Sequence, residues 1–108
     1  MKTAKLSDMV KGWFIGDFSP SIVRAESAEA AVKSYNKGDY EKKHYHKIAV
    51  EITVIAKGKA SMNGAEYGTG DIILIEPGEA ADFECHEDGT LTMVVKMPSL
   101  ADDKYEAL

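Results

Sequence analysis

Two of the chain's three histidines stand together as His44-Tyr45-His46, and Glu51 follows five residues later inside the apolar stretch from Val50 to Ile55. On a strand, side chains two residues apart project to the same face, so both imidazoles enter whatever that face covers. A tight bend over Lys47 to Ala49 would return Glu51 beside the rings from the neighbouring strand. Two imidazoles and one carboxylate, with positions left open, suit a divalent ion such as Fe(II), Mn, Ni or Zn. The residues also allow a plainer arrangement, with a histidine pair on a polar surface and a solvated acid at a sheet edge. Burial favours the first. Between Val50 and Ile52 an unpaired carboxylate is costly and needs a cation or several donors.

The elements that would position these groups are short and β-rich. Lys47 to Ala56 carries Ile48, Val50, Ile52, Val54 and Ile55, a β-branched run of strand length. Ser61-Met62 and Ala65 to Tyr67 flank Asn63-Gly64, a pair suited to the positive φ angles of a type I′ hairpin. Asp71 to Ile75 reads as a buried strand ending at Pro77-Gly78. Ala81 to Cys85 and Leu91 to Lys96 read as two more, joined at Asp88-Gly89. Upstream, Trp13 to Ile15 and Ser21 to Val23 have strand character, and Lys5 to Val10 suits a short turn. Glu26 to Tyr35 is ambiguous: its alanines favour helix, while Ala28, Ala30 and Val32 alternate as in a half-buried strand. Seven or more short strands with turn residues between them predict an all-β sandwich or barrel.

The run Gly38 to His46, with Glu51 and Gly58, resembles the first motif of the cupin superfamily: a glycine, five residues, His-x-His, three or four residues, Glu, six residues, then Gly. Ile75-Glu76-Pro77-Gly78 resembles the start of the second motif, and the likeness runs from about Val32 to Pro98. It implies a cupin-type double-stranded β-helix, the jelly-roll barrel, with at least the Val32 to Tyr35 end of the ambiguous stretch as strand. It also implies a divalent metal on His44, His46 and Glu51, with Glu51 as a catalytic base if it does not coordinate. Cupins with a full site supply a third histidine three residues after Pro-Gly, and here that slot is Ala81. Glu79, Asp82, Cys85 or His86 could replace it, the site could work with fewer ligands, or the barrel could bind an organic ligand without metal. Strand parity puts Ala81, Phe83 and Cys85 on one face and Asp82, Glu84 and His86 on the other. Tyr35, Thr53, Met62, Phe83 and Met93 are candidates for the lumen. Trp13 and Phe14 suit the core, a pocket mouth or a dimer seam.

Length and composition narrow the classes. At 108 residues the chain is of single-domain size, read as one cupin domain over 1–108 with a barrel core over about 11–98 and a polar tail over 99–108. In that tail, Ser99 and Asp102 suit the cap of a short helix. Thirteen basic against eighteen acidic residues leave a net charge of -5 and no basic cluster, which argues against nucleic acid and anionic membranes as partners. The single Cys85 excludes an internal disulfide and any four-cysteine zinc site. With no apolar leader at Met1 to Val10, a cytoplasmic setting is expected. The expected function is a metal cupin acting on or binding a small sugar-derived or organic-acid molecule, as a homodimer. The alternative is a metal-poor, non-enzymatic ligand-binding cupin.

Overall fold

The computed structural model describes all 108 residues, Met1–Leu108. Two short 3-10 turns, Leu6–Asp8 and Val10–Gly12, lead into the strands. These are β1 (Trp13–Gly16), β2 (Val23–Arg24), β3 (Glu29–Tyr35), β4 (Tyr40–Tyr45), β5 (Val50–Lys57), β6 (Lys59–Met62), β7 (Ala65–Gly68), β8 (Ile72–Ile75), β9 (Ala81–Cys85), β10 (Thr90–Met97) and β11 (Tyr105–Glu106). Six form one sheet in the order β2-β1-β3-β10-β5-β8, and five form the other in the order β11-β4-β9-β6-β7. Apart from a short parallel β1-β2 contact, the pairings are antiparallel. The all-β expectation therefore holds, as a two-sheet jelly roll.

The ambiguous alanine stretch is strand from Glu29 to Tyr35, sandwiched between β1 and β10. Ladder pairing on both sides outweighs the modest helix preference of alanine. Asn63 and Gly64 have φ angles of 51° and 80° and turn the β6-β7 hairpin as their types predict. Gly58 separates β5 from β6 with φ +100°, and a Cβ there would lie 2.2 Å from Thr90 Oγ1. Only glycine lets the chain pass this close to β10 while turning left-handed.

The inner core gathers Ile55, Ala60, Met62, Ile75, Ala81, Phe83 and Cys85, with Tyr35, Tyr67 and Ile73 packed against it. Two expectations need correction. Met93 does not face the lumen. In β10 Thr90, Thr92 and Val94 are buried, so Met93 points outward and is 40% exposed. Nor is β8 fully buried. It is a sheet edge, and Ile72 and Leu74 face out, with Ile72 71% exposed. A run of four apolar residues does not distinguish a central strand from an edge strand with one wet face.

The last ten residues contain no helix. The chain turns at Ala101-Asp102, and Tyr105–Glu106 pairs with β4, placing Tyr105 opposite Tyr45 and Glu106 opposite His44. The two tyrosine rings stack at 5.4 Å between centroids.

Candidate functional site

Strand parity and register assemble a polar group at one end of the barrel. Across the inner face of the larger sheet, Glu29, Lys96 and Glu51 stand opposite one another on β3, β10 and β5. Lys96 Nζ lies 3.7 Å from Glu29 Oε2 and 5.0 Å from the centre of the Trp13 ring. From the smaller sheet come His44, on β4, and His46, one residue beyond it. The bend at residues 47–49 then crosses to β5, in the opposite sheet rather than on an adjacent strand as expected, and brings Glu51 back to the rings: His46 Nε2 is 3.7 Å from Glu51 Oε1. The imidazoles of His44 and His46 meet edge to face with centroids 5.4 Å apart.

All three residues line a cavity of about 370 Å3, together with Trp13, Lys33, Tyr35, Glu41, Lys96 and others. Tyr35, Thr53, Met62 and Phe83 line it as expected. Trp13 also faces it, half-buried, with the ammonium groups of Lys33 and Lys96 at 5.2 and 5.0 Å from its ring centre. Elsewhere in the lining, Tyr35 donates its phenol hydrogen to Glu41 Oε1 at 3.1 Å, and Lys33 Nζ approaches the same oxygen at 3.4 Å. Burial and the neighbouring Glu41 carboxylate push the Tyr35 phenol far up, so it keeps its proton.

The histidine tautomers follow from their partners. His44 Nδ1 donates to the Lys42 carbonyl at 2.9 Å, and His46 Nδ1 donates to the Asp103 carbonyl. A carbonyl can only accept, so each neutral ring carries its proton on Nδ1 and its lone pair on Nε2. The Nε2 of His46 is buried, in a residue only 4% exposed, and has no hydrogen-bond partner. Its imidazole titrates above the usual value, raised chiefly by the Glu51 carboxylate against the opposing effect of burial. For Glu51, burial acts upward, but His46, Lys96 and His44 together outweigh it and hold the carboxyl below the usual range.

The donors fit a metal ion in part. The gap between His46 Nε2 and Glu51 Oε1 is too wide for a hydrogen bond. It suits two ligands of one first-row ion, each at about 2.0–2.2 Å from it. Anchoring of each Nδ1 by a backbone carbonyl is the outer support that metal-binding histidines use. The set is not closed, however: no group of three or more His, Cys, Asp and Glu side chains is arranged to hold an ion. Ala81 stands directly opposite His44 on β9, so the slot for a third imidazole lies beside the pair and holds a methyl group.

None of the proposed replacements fills that slot. Asp82 Oδ1 accepts from the Asn63 amide and supports the β6-β7 hairpin. Cys85 is buried in the core cluster. His86 bonds Ser61 Oγ at 2.8 Å, outside the site. Glu79 accepts from the Glu76 amide in the Pro-Gly turn. Several residues of the site are not singled out by the sequence alone. Lys96 had a usable signal, a charge at the parity of Thr90, Thr92 and Val94. Glu29 lay in the ambiguous stretch. Asp103 had no local signal.

No protein-family model matches the sequence, and no curated protein matches it. Solved structures do. An uncharacterised conserved protein with a double-stranded β-helix domain from Klebsiella pneumoniae aligns with a TM-score of 0.68 at 18% identity, over 80% of this chain and 81% of that one. The DMSP lyase DddQ of Ruegeria pomeroyi aligns with a TM-score of 0.72 at 21% identity, over 88% of this chain and 49% of that one. Pac13 of Streptomyces, a nucleoside dehydratase, aligns with a TM-score of 0.66 at 13% identity, over 76% of this chain and 69% of that one. With the strand order above, these likenesses establish the architecture: the chain has the double-stranded β-helix fold of the cupins. No helix is long and apolar enough to cross a membrane.

Proposed function

We propose that the lumen holds a divalent metal ion through His46, Glu51 and His44, and that a small sugar-derived or organic-acid molecule binds over it and is acted on there. The observation that carries this reading is the buried, unpartnered Nε2 of His46 facing the Glu51 carboxylate at 3.7 Å. A bare lone pair against an anionic oxygen is unfavourable out of water, and a metal ion between them relieves it, as does the proton that Glu51 favours on His46. The cavity is in the size range of small-molecule sites, and DddQ and Pac13, both enzymes, share the fold.

When bound, such an ion supplies Lewis acidity toward a ligand oxygen. The chain's own groups do the rest. The two Nε2 atoms and the ionised Glu51 bind, while Lys96 offsets the negative charge that Glu29 and Glu51 bring to the mouth. Tyr35 presents a phenol that stays protonated. Where Glu51 is left uncoordinated, its carboxylate is placed to accept a proton from the ligand.

The second reading, a metal-poor binding module, is favoured by the Ala81 methyl opposite His44 and by the lack of a closed three-donor group. Elemental analysis and calorimetric titration with Mn2+ and Zn2+ separate the two. The metal reading expects a substantial fraction of one ion per chain, lost in His44→Ala/His46→Ala. Wild-type protein that takes up neither ion, or a double variant that binds as tightly as wild type, would refute it.

A further inference from the structure

We infer that Asp103 is a positioning residue of this site, its carboxylate pinning the bend between His46 and Glu51 while its own carbonyl sets the His46 tautomer. One oxygen of the Asp103 carboxylate accepts from the Lys47 amide at 3.0 Å, and the other accepts from the Ala49 amide at 2.8 Å. The Ile48 amide lies between them, 3.2 Å from the first and 3.1 Å from the second. Three consecutive N–H groups thus converge on one buried anion, and these charge-assisted bonds are stronger than neutral ones. Burial acts upward on the Asp103 carboxyl, but the three amides, together with the nearby His46, outweigh it and hold it below its usual value.

Residues 47–49 are three of the four that separate His46 from Glu51, so whatever holds them sets the spacing of the two groups. The same anchor fixes the backbone of Asp103, whose carbonyl accepts from His46 Nδ1. Strand β11 secures the far side. Glu106 stands opposite His44, and the Ala107 amide donates to the Lys43 carbonyl at 3.1 Å. A segment more than fifty residues away from the histidines in sequence therefore holds both the loop and the ring. Without the carboxylate the amides lose their shared acceptor, the carbonyl is free to shift, and His46 can place its proton on either nitrogen.

What Nε2 binds rests on the function proposed above; the tautomer does not, and it is measured without metal. Long-range 1H–15N correlation of metal-free protein, well above the imidazole titration, reads it directly. Wild-type His46 is expected as the single Nδ1-protonated form. Asp103→Ala should show both tautomers and weaken Co2+ binding by about 10- to 100-fold. Asp103→Asn, which keeps one acceptor oxygen, should fall between, and it carries the test should Asp103→Ala not fold. Ile55→Val, which loosens the far end of the barrel, should leave the tautomer alone. Wild type protonated on Nε2, or folded Asp103 variants with an unchanged tautomer, would overturn the inference. Wild type that binds no Co2+ while the tautomer follows Asp103 would remove the metal reading and leave the positioning intact.

Discussion

At one end of the lumen β5 contributes Ile55 and β9 contributes Cys85, both almost wholly buried in the apolar cluster. Four residues back along the same strands, Glu51 and Ala81 face a cavity they share with His44, His46 and Lys96. The ladders carry an irregularity on each side, between Leu91 and Thr92 near the packed end and between Glu41 and His44 near the open one. Side-chain chemistry separates them: one end excludes water by close packing, while the other carries charges in an acid-base-acid row and keeps open space. The packed end supplies the stability that lets the other end hold a buried lone pair and an ionised acid without closing over them.

Substitutions at each end should separate these roles. The largest effect is expected at the packed end. Ile55→Ala should cost about 2–5 kcal/mol in denaturant unfolding, with ligand and metal binding unchanged in the protein that remains folded. A matching loss of binding would erase the distinction. At the open end, Ala81→His places a third imidazole opposite His44. Calorimetry with Zn2+ should show affinity raised by about tenfold or more, with little change in thermal midpoint. No gain would mean that the His44 side of the cavity does not take part in binding.

The smallest effect concerns acid. A carboxyl held below its usual value in the folded state stabilises fully above its unfolded pKa, and that contribution fades as pH falls through the lowered folded value. Asp103 is such a group. Asp103→Asn should therefore be less stable than wild type near neutrality, with the gap closing in acid. Thermal midpoints of both proteins across that range give the check; a gap that stays constant with pH would show that the carboxylate charge is not what anchors the bend.

How much of this was legible beforehand differs along the chain. The Asn63-Gly64 hairpin, the β5 run and the His-x-His pair rest on interactions within a few residues, where residue type and spacing carry the information. Glu29 to Tyr35 was not decidable, because the competition between helix and strand there was settled by neighbouring strands. Met93 was misassigned because one face of β10 and the other differ only in what lies across from them. The assignment of His44, His46 and Glu51 to one place followed from parity and a short bend. That Ala81 lies beside His44 needed the β4-β9 register.

The sequence by itself determined the strand-rich class and the spacing that lets two imidazoles and an acid meet across a short bend; the resemblance to cupins marked Ala81 as the slot of a third histidine. Tertiary structure alone decided which nitrogen of His46 is bare, which lysine faces Glu51, and that Asp103 ties the bend. Those are contacts between residues far apart in the chain. Their partners are chosen by sheet register and chain closure, and no local pattern of residue types encodes either.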